Sequence, residues 1–317
     1  MITQSPESST VAFLLTHFLS IVFLAMHHRV HILDGPMGTE LARRGVPTPL
    51  PAWSALANGD APHVVAAIHR DYAEAGATIH TANTFRTKAR QVGDCWRELS
   101  AQAIAIARGA LPHGHAVVAS IAPLEDCYSP WLSPAEDDPQ ACKAEHAEFA
   151  SWLAAQGADC LLVETMPHPL EALLALQAAV STGLPSWLAL TPGPDGSLLS
   201  PVELAQCAEE GVRRGAQAIF VNCVAFDRAL PYVEALSEVG ARHNVPIGVY
   251  ANAGHPDQSV GWQALDTDPE LAATLYLQHA IEWISAGASI VGGCCGTGVP
   301  HIRKLAQALS GGEQPLP

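Results

Sequence analysis

The sequence predicts a single-domain (β/α)8 barrel, and three observations predict it. From residue 30 onward, short apolar, β-rich runs alternate with longer stretches of helical spacing. There are eight such runs, at 30–34, 78–83, 116–122, 160–164, 187–191, 218–223, 247–251 and 289–293. Four of them follow a Gly-Ala pair (Gly76-Ala77, Gly157-Ala158, Gly215-Ala216 and Gly287-Ala288), each placed where a left-handed glycine ends the preceding helix. The runs are near-continuously apolar, as strands of a parallel sheet buried on both faces must be. Eight β/α units in under 300 residues is the arithmetic of a TIM barrel. A doubly wound open sheet competes, but no Gly-x-Gly-x-x-Gly follows the first strand and no P-loop is present.

Taken in order, the first run closes on Asp34 and enters Gly35-Pro36-Met37-Gly38, a tight strand-to-helix turn. Helical spacing at 63–75 leads to the second run, which ends at Asn83. After the third run, Ser133-Pro134 reads as an N-cap followed by a first-turn proline, ahead of helical spacing at 143–155. The fourth run ends at Glu164. Spacing at 201–214 leads to the sixth run and its terminal Asn222-Cys223. Tyr250 and Asn252 close the seventh run. Asp268-Pro269 opens the helix predicted at 269–286. The eighth run ends in Gly292-Gly293-Cys294-Cys295-Gly296-Thr297-Gly298. Barrel enzymes build their sites at the carboxyl ends of the strands, which is where these polar residues fall.

The composition narrows the function. The 317 residues are 49% hydrophobic with a net charge of −15, and Lys88, Lys143 and Lys304 are the only lysines. No basic stripe exists to hold nucleic acid or an anionic membrane surface. Eight cysteines in so long a chain do not form a disulfide scaffold. A thiolate metal site requires reduced cysteines and therefore a reducing compartment, which makes the expected location cytoplasmic. Residues 11–26 are largely apolar, but 16 residues fall short of the roughly 20 that span a bilayer. Glu7 and the lack of any preceding Lys or Arg also argue against an export signal. The expected division is an N-terminal apolar appendage at 1–29, the barrel at 30–310 and a short tail at 311–317.

Cys223, Cys294 and Cys295 carry the chemistry. A barrel brings strands six and eight together, so three thiols meet at one mouth. Zn²⁺ prefers four ligands, and three from the protein leave one position for water or substrate. A thiolate-rich zinc suits a soft sulfur substrate. Adjacent strand residues face opposite ways, so Cys294 and Cys295 reach one ion only where flanking glycines let the chain turn. Small core residues and a vicinal disulfide are the competing readings of the pair. Glu164, a carboxylate ending an apolar strand, demands a partner. Tyr250 either lines the pocket or packs in the core. The fifteen histidines show no HExxH-like spacing and are expected on the surface or as satisfied core residues.

The chain resembles the homocysteine S-methyltransferase family, zinc-dependent barrel enzymes that methylate homocysteine to methionine. The resemblance spans about residues 30–310. It rests on Asp34-Gly35-Pro36-Met37-Gly38-Thr39-Glu40-Leu41, Ala82-Asn83-Thr84-Phe85, Val163-Glu164-Thr165, Val221-Asn222-Cys223, Tyr250-Ala251-Asn252-Ala253-Gly254 and Gly292-Gly293-Cys294-Cys295-Gly296-Thr297. It implies that Cys223, Cys294 and Cys295 bind zinc. It also implies that the Asp34 loop, through the amides of Met37 and Gly38, holds the amino-acid part of homocysteine, and that Glu164 takes its amine. Asn222 and Tyr250 are weaker substrate-binding candidates. Two departures, Gly298-Val299-Pro300 where the family has Thr-Pro-Glu and Tyr250-Ala251-Asn252 where it has Tyr-Pro-Asn, spare the cysteines and bear on acceptor and donor choice.

The expected partners are homocysteine and a small methyl donor. Cobalamin-dependent members carry further domains and betaine-using members a longer C-terminal arm, so a sulfonium donor, S-methylmethionine or S-adenosylmethionine, is favoured. Three alternatives stay open: another thiol or selenol acceptor, methyl delivery to a corrinoid partner, and a non-catalytic zinc-binding or redox-sensing barrel.

Overall fold

The computed structural model describes residues 30–256, 262–263 and 268–309. The expected appendage at 1–29 and tail at 311–317 lie outside them. Eight parallel strands form the barrel: β1 (His31–Ile32), β2 (Ile79–Ala82), β3 (Ala116–Ile121), β4 (Cys160–Met166), β5 (Ser186–Leu190), β6 (Ala218–Ala225), β7 (Ile247–Asn252) and β8 (Ile290–Gly293). Each strand pairs with its neighbours in sequence, and β8 pairs with β1. A bridge from Leu33 to Ile79, with Asp34 N donating to Ile79 O at 2.9 Å, joins β1 to β2 and closes the ring. One long helix accompanies each strand: α1 (Pro62–Glu74), α2 (Trp96–Ala110), α3 (Pro139–Ala155), α4 (Pro169–Val180), α5 (Pro201–Arg213), α6 (Leu230–His243), α7 (Pro269–Ser285) and α8 (Val299–Leu309).

The apolar runs split by parity, as a period of two requires. Ile79, Val118, Leu162, Phe220 and Ile290 fill the barrel interior. Their alternates, such as Leu161, Val163, Ile219 and Val249, pack outward against the helices, meeting Tyr72, Leu153, Leu176 and Trp283. Helix ends follow local chemistry. Pro62, Pro139, Pro169, Pro201 and Pro269 begin five helices, where a missing N–H costs nothing. Ser200 and Glu203 form a capping box at α5. The four Gly-Ala glycines all have positive φ, from 86° at Gly157 to 116° at Gly287.

One start signal falls elsewhere. Ser133-Pro134 does not open a helix; α3 begins at Pro139, capped by Asp138, whose side chain accepts from Ala141 N at 3.0 Å. The Ser133 hydroxyl donates to Glu171, and its oxygen accepts from Ala135 N at 3.3 Å in a local two-residue turn rather than an N-cap.

Glu171, at the start of α4, is an anchor for the loop after β3. It is buried and accepts from Leu124 N at 2.7 Å, from Ser133 Oγ, and from His146 Nε2 at 3.2 Å. Burial opposes its ionisation, but these donors outweigh it and hold the carboxyl at about 2. A carboxyl depressed in the fold stabilises above its unfolded value, near 4.5, and loses that contribution as pH falls toward 2. Glu171→Gln is therefore expected to lower unfolding free energy at pH 7 by about 3 kcal/mol. The gap between variant and wild type should narrow by pH 3, read from urea denaturation at both pH values. An equal gap at the two would assign Glu171 a role unrelated to its charge.

Candidate active site

The carboxyl end of the barrel holds a cleft partly open to solvent. Two bulges shape it. On β4 the register shifts between Val163 and Met166, and on β6 between Asn222 and Ala225. At each shift a non-glycine residue adopts left-handed backbone, Thr165 at φ 56° and Cys223 at φ 55°. Such residues are uncommon and costly, and they hold only where the surroundings fix them. The β4 bulge lets the consecutive residues Glu164 and Thr165 both line the cleft, the β6 bulge brings Cys223 to it, and the two strands run past the ends expected at 164 and 223.

Cys223 Sγ lies 2.7 Å from Cys294 Sγ. Cys294 N donates to Ala251 O at 2.9 Å, and Ala253 N donates to Cys295 O at 2.9 Å, so the cysteine loop continues the pairing of β8 with β7. Gly296, at φ 81°, then turns the chain. Thr297 Oγ1 donates to Cys294 O at 2.8 Å and pins the turn from below. Cys223, Cys294 and Cys295 all line the cleft. Burial pushes the Cys223 thiol up, and hydrogen bonds to Cys223 and Cys295, with burial, raise Cys294 well above an ordinary thiol.

Glu164 is buried on the cleft wall, with Tyr250 OH donating to Oε2 at 2.8 Å and Ser120 Oγ donating to Oε1. Burial raises its pKa against these two donors. No salt bridge reaches it among the described residues. Tyr250 both lines the cleft and packs edge-on against Phe220, with ring centroids 5.9 Å apart. Asp34 lines the opposite wall, is buried, and accepts from Thr81 N at 3.0 Å; burial raises its pKa well above the usual range. Met37 and Gly38 also line the cleft, in the first turn of a short helix (Met37–Arg43) whose leading amides have no intrahelical acceptor.

Asn222 departs from its expected substrate contact. It is fully buried beneath the cleft and does not line it. Its Nδ2 donates to Thr165 Oγ1 at 2.7 Å and lies 3.3 Å from Cys223 Sγ, so it ties the two bulges together. The inward parity of β6 puts Asn222 one layer below Cys223. Asn83 orients a loop: it bonds Ser54 and Asn58 and holds the segment carrying Trp53 over the cleft.

Several lining residues went unmarked in the sequence. Ser120 follows the inward parity of Val118 on β3 and was readable from it. Trp53, Tyr128 and Cys127 sit in irregular segments with no periodic signal. Trp53 meets Phe85 edge to face at 5.9 Å, and both rings face the cleft. No Lys, Arg or His is among the lining residues.

Thiols gathered beside buried carboxylates at the carboxyl end of a barrel define an enzyme that works on sulfur. The chain belongs to the homocysteine S-methyltransferase family, whose model matches residues 31–309. It is 27% identical to homocysteine S-methyltransferase 3 of Arabidopsis thaliana, over 88% of this chain and 89% of the relative. It is also 27% identical to the selenocysteine methyltransferase of Astragalus bisulcatus, over 92% and 96%. The metallated form of the Escherichia coli homocysteine methyltransferase MmuM shares the fold, with a TM-score of 0.71 over 90% of this chain and 98% of that one at 21% identity.

The tightness of the cysteine loop is testable. A Cβ on Gly293 would overlap the Thr297 side chain. Gly293→Ala is expected to destabilise the protein by about 1–3 kcal/mol, as overpacking does. A urea midpoint equal to that of wild type would show that the loop has room.

Proposed function

We propose that this chain methylates the thiol of homocysteine, giving methionine, on a zinc ion held by Cys223, Cys294 and Cys295, with a small sulfonium as donor. The observation that carries the reading is the make-up of the cleft: the thiols of Cys223, Cys294 and Cys295 with that of Cys127, two buried carboxylates, the rings of Trp53, Phe85, Tyr128 and Tyr250, and no basic side chain. The donor set fits zinc. Burial holds the Cys223 thiol up, and hydrogen bonds to Cys223 and Cys295 hold Cys294 up, so these two stay protonated unless a cation joins them. Ligands on a tetrahedral ion with 2.3 Å bonds sit about 3.8 Å apart. Cys223 and Cys294 must therefore part by about 1 Å to share an ion. Cys295 must also swing inward, because the donor triads that already lie within 4.8 Å are other groups.

Zinc, when bound, keeps the substrate sulfur deprotonated and nucleophilic. The remaining work falls to the chain. Glu164, oriented by Tyr250 and Ser120 and lacking a cationic partner, takes the substrate ammonium. Asp34 and the amides of Met37 and Gly38 frame the rest of the amino-acid head, and those amides suit its carboxylate. The aromatic rings receive the positive charge of a sulfonium, as in S-methylmethionine or S-adenosylmethionine. An anionic donor would meet a cleft of like charge. A sulfonium also brings its own leaving group, so no further cofactor is needed. A selenol acceptor is the second reading, favoured by the likeness to a selenocysteine methyltransferase. Among the described residues no helix is long and apolar enough to cross a membrane.

Methionine formation should proceed with S-methylmethionine or S-adenosylmethionine and fail with betaine; the reverse order would overturn the donor assignment. Selenocysteine in place of homocysteine decides the acceptor. Cys294→Ala and Cys295→Ala should each lose the zinc of this site together with turnover, and full metal retention with full activity in either would sink the ligand assignment. Glu164→Gln should raise the KM for homocysteine more than that for the donor, by the roughly 1.5–3 kcal/mol of a charge-assisted hydrogen bond. An unchanged homocysteine KM would make Glu164 structural.

A further inference from the structure

We propose that Asp34, His69 and His80 form a second metal site, distinct from the three cysteines, that takes a divalent transition ion such as zinc or cobalt. The three residues come from different elements. Asp34 follows β1, His69 lies in α1 and His80 lies on β2. One donor atom of each falls within 4.8 Å of the other two. His69 and His80 are fully buried, and Asp34 is 4% exposed.

Unmet valences mark the cluster. Neither ring nitrogen of His69 has a hydrogen-bond partner, and neither does His80 Nδ1. Buried polar atoms rarely stay unpaired. The opposite side of the His80 ring is engaged: Nε2 lies 3.2 Å from Ala77 O and 3.0 Å from His115 Nδ1. A carbonyl only accepts, so Nε2 carries the proton. The lone pair is then on Nδ1, which faces Asp34 Oδ2 at 3.9 Å. A histidine that donates one N–H to a carbonyl and presents the other nitrogen is the arrangement of a metal ligand and its outer support.

Charge points the same way. Asp34 accepts from Thr81 N but has no cation beside it, since His80 is neutral; burial holds His80 down at about 3 and His69 at about 4. A water molecule would satisfy the ring nitrogens but leave the buried carboxyl pushed toward protonation, whereas a divalent ion would satisfy the nitrogens and balance the carboxylate. Two imidazoles and a carboxylate suit zinc or cobalt, with water completing the set. Donors on a tetrahedral ion with bonds of 2.0–2.2 Å sit about 3.4 Å apart. The His80 Nδ1–Asp34 Oδ2 pair, at 3.9 Å, closes by about 0.5 Å to share an ion, and no pair of the triad, all within 4.8 Å, closes by more than about 1.4 Å. Asp34 also lines the cleft, so this ion would share a residue with the cleft wall.

The test uses the full chain, stripped with a chelator and titrated with cobalt(II) alone and then zinc(II) alone. Wild type should take up two equivalents. A variant with Cys223, Cys294 and Cys295 all changed to Ala should retain one, showing cobalt ligand-field bands but no sulfur-to-cobalt charge transfer. His69→Phe should lose that equivalent and keep the charge-transfer band. Saturation of wild type at one equivalent with charge transfer, or no metal in the cysteine variant while circular dichroism shows it folded, would overturn the second site and leave water as its occupant. One equivalent without charge transfer in wild type would instead remove the cysteine–zinc reading and support this one. X-ray absorption on two-cobalt wild type gives the same decision if His69→Phe does not fold: a shell of nitrogen and oxygen beyond that of the sulfur site supports the proposal, and sulfur ligation alone overturns it.

Discussion

The site depends on β7. That strand pairs with β6 on one side and β8 on the other, with Asn222 opposite Tyr250 and Gly293 opposite Ala251. Two interstrand gaps of about 4.8 Å separate the outer pair, yet Cys223 and Cys294 bring their sulfurs to 2.7 Å. Three features close that span. The barrel curves, the left-handed Cys223 leans over the end of β7, and the glycine-flanked loop after β8 folds back toward it. Tyr276 of α7 fixes the spacing from outside, accepting from Ala251 N at 3.1 Å and donating to Gly292 O at 2.8 Å. Strand pairing, a bulge and one phenol thereby set a geometry between residues 71 apart in the chain.

The same closure creates an electrostatic demand. Asp34 and Glu164 are withdrawn from water on facing walls, and both are pushed toward protonation by burial. The basic groups nearby are already occupied. Lys88, itself buried and lowered to about 7, donates to the carbonyls of Ala122 and Pro123 and so holds the loop carrying Cys127 and Tyr128. Arg86 is turned to Glu125 O and Asp126. The fold thus uses its cations to position walls and leaves the cleft short of positive charge. A cleft built this way stabilises whatever cation enters it, and the proposed reaction brings two, an ammonium and a sulfonium.

Most of the barrel was legible because its signals are local. Parallel strands buried on both faces read as apolar runs, and a helix ending in left-handed glycine repeats the same dipeptide four times. The cysteine site was legible for a related reason: strand number and strand end together place a residue at the mouth without any knowledge of side-chain contacts. Tertiary competition was not legible. Ser133 reads as a cap, but its hydroxyl donates to Glu171 of another helix while its oxygen closes a short turn with Ala135 N. Asn222 reads as a mouth residue until the bulge at Cys223 leaves it a layer below. Trp53 reaches the cleft through a network centred on Asn83, and neither spacing nor composition announces such a bond.

The buried histidines carry a signal that motif spacing does not express. Absence of a metal-binding spacing argues against a site within one helix, but it says nothing about ligands drawn from three elements. A weaker signal was present. His69 lies on the stripe formed by Val65, Ile68 and Tyr72, which is the buried face of α1. An imidazole in such a stripe must find a partner or leave a polar group unpaired, at a cost of about 1–3 kcal/mol. His80 raises the same question from the outward face of β2, directly opposite. Two neutral imidazoles facing each other across a strand–helix interface do not satisfy one another here: their ring centroids are 6.4 Å apart, and a donor atom of each lies within 4.8 Å of the buried Asp34 carboxylate. The buried polar residue, more than the motif, is the feature that carries chemical information in this part of the fold.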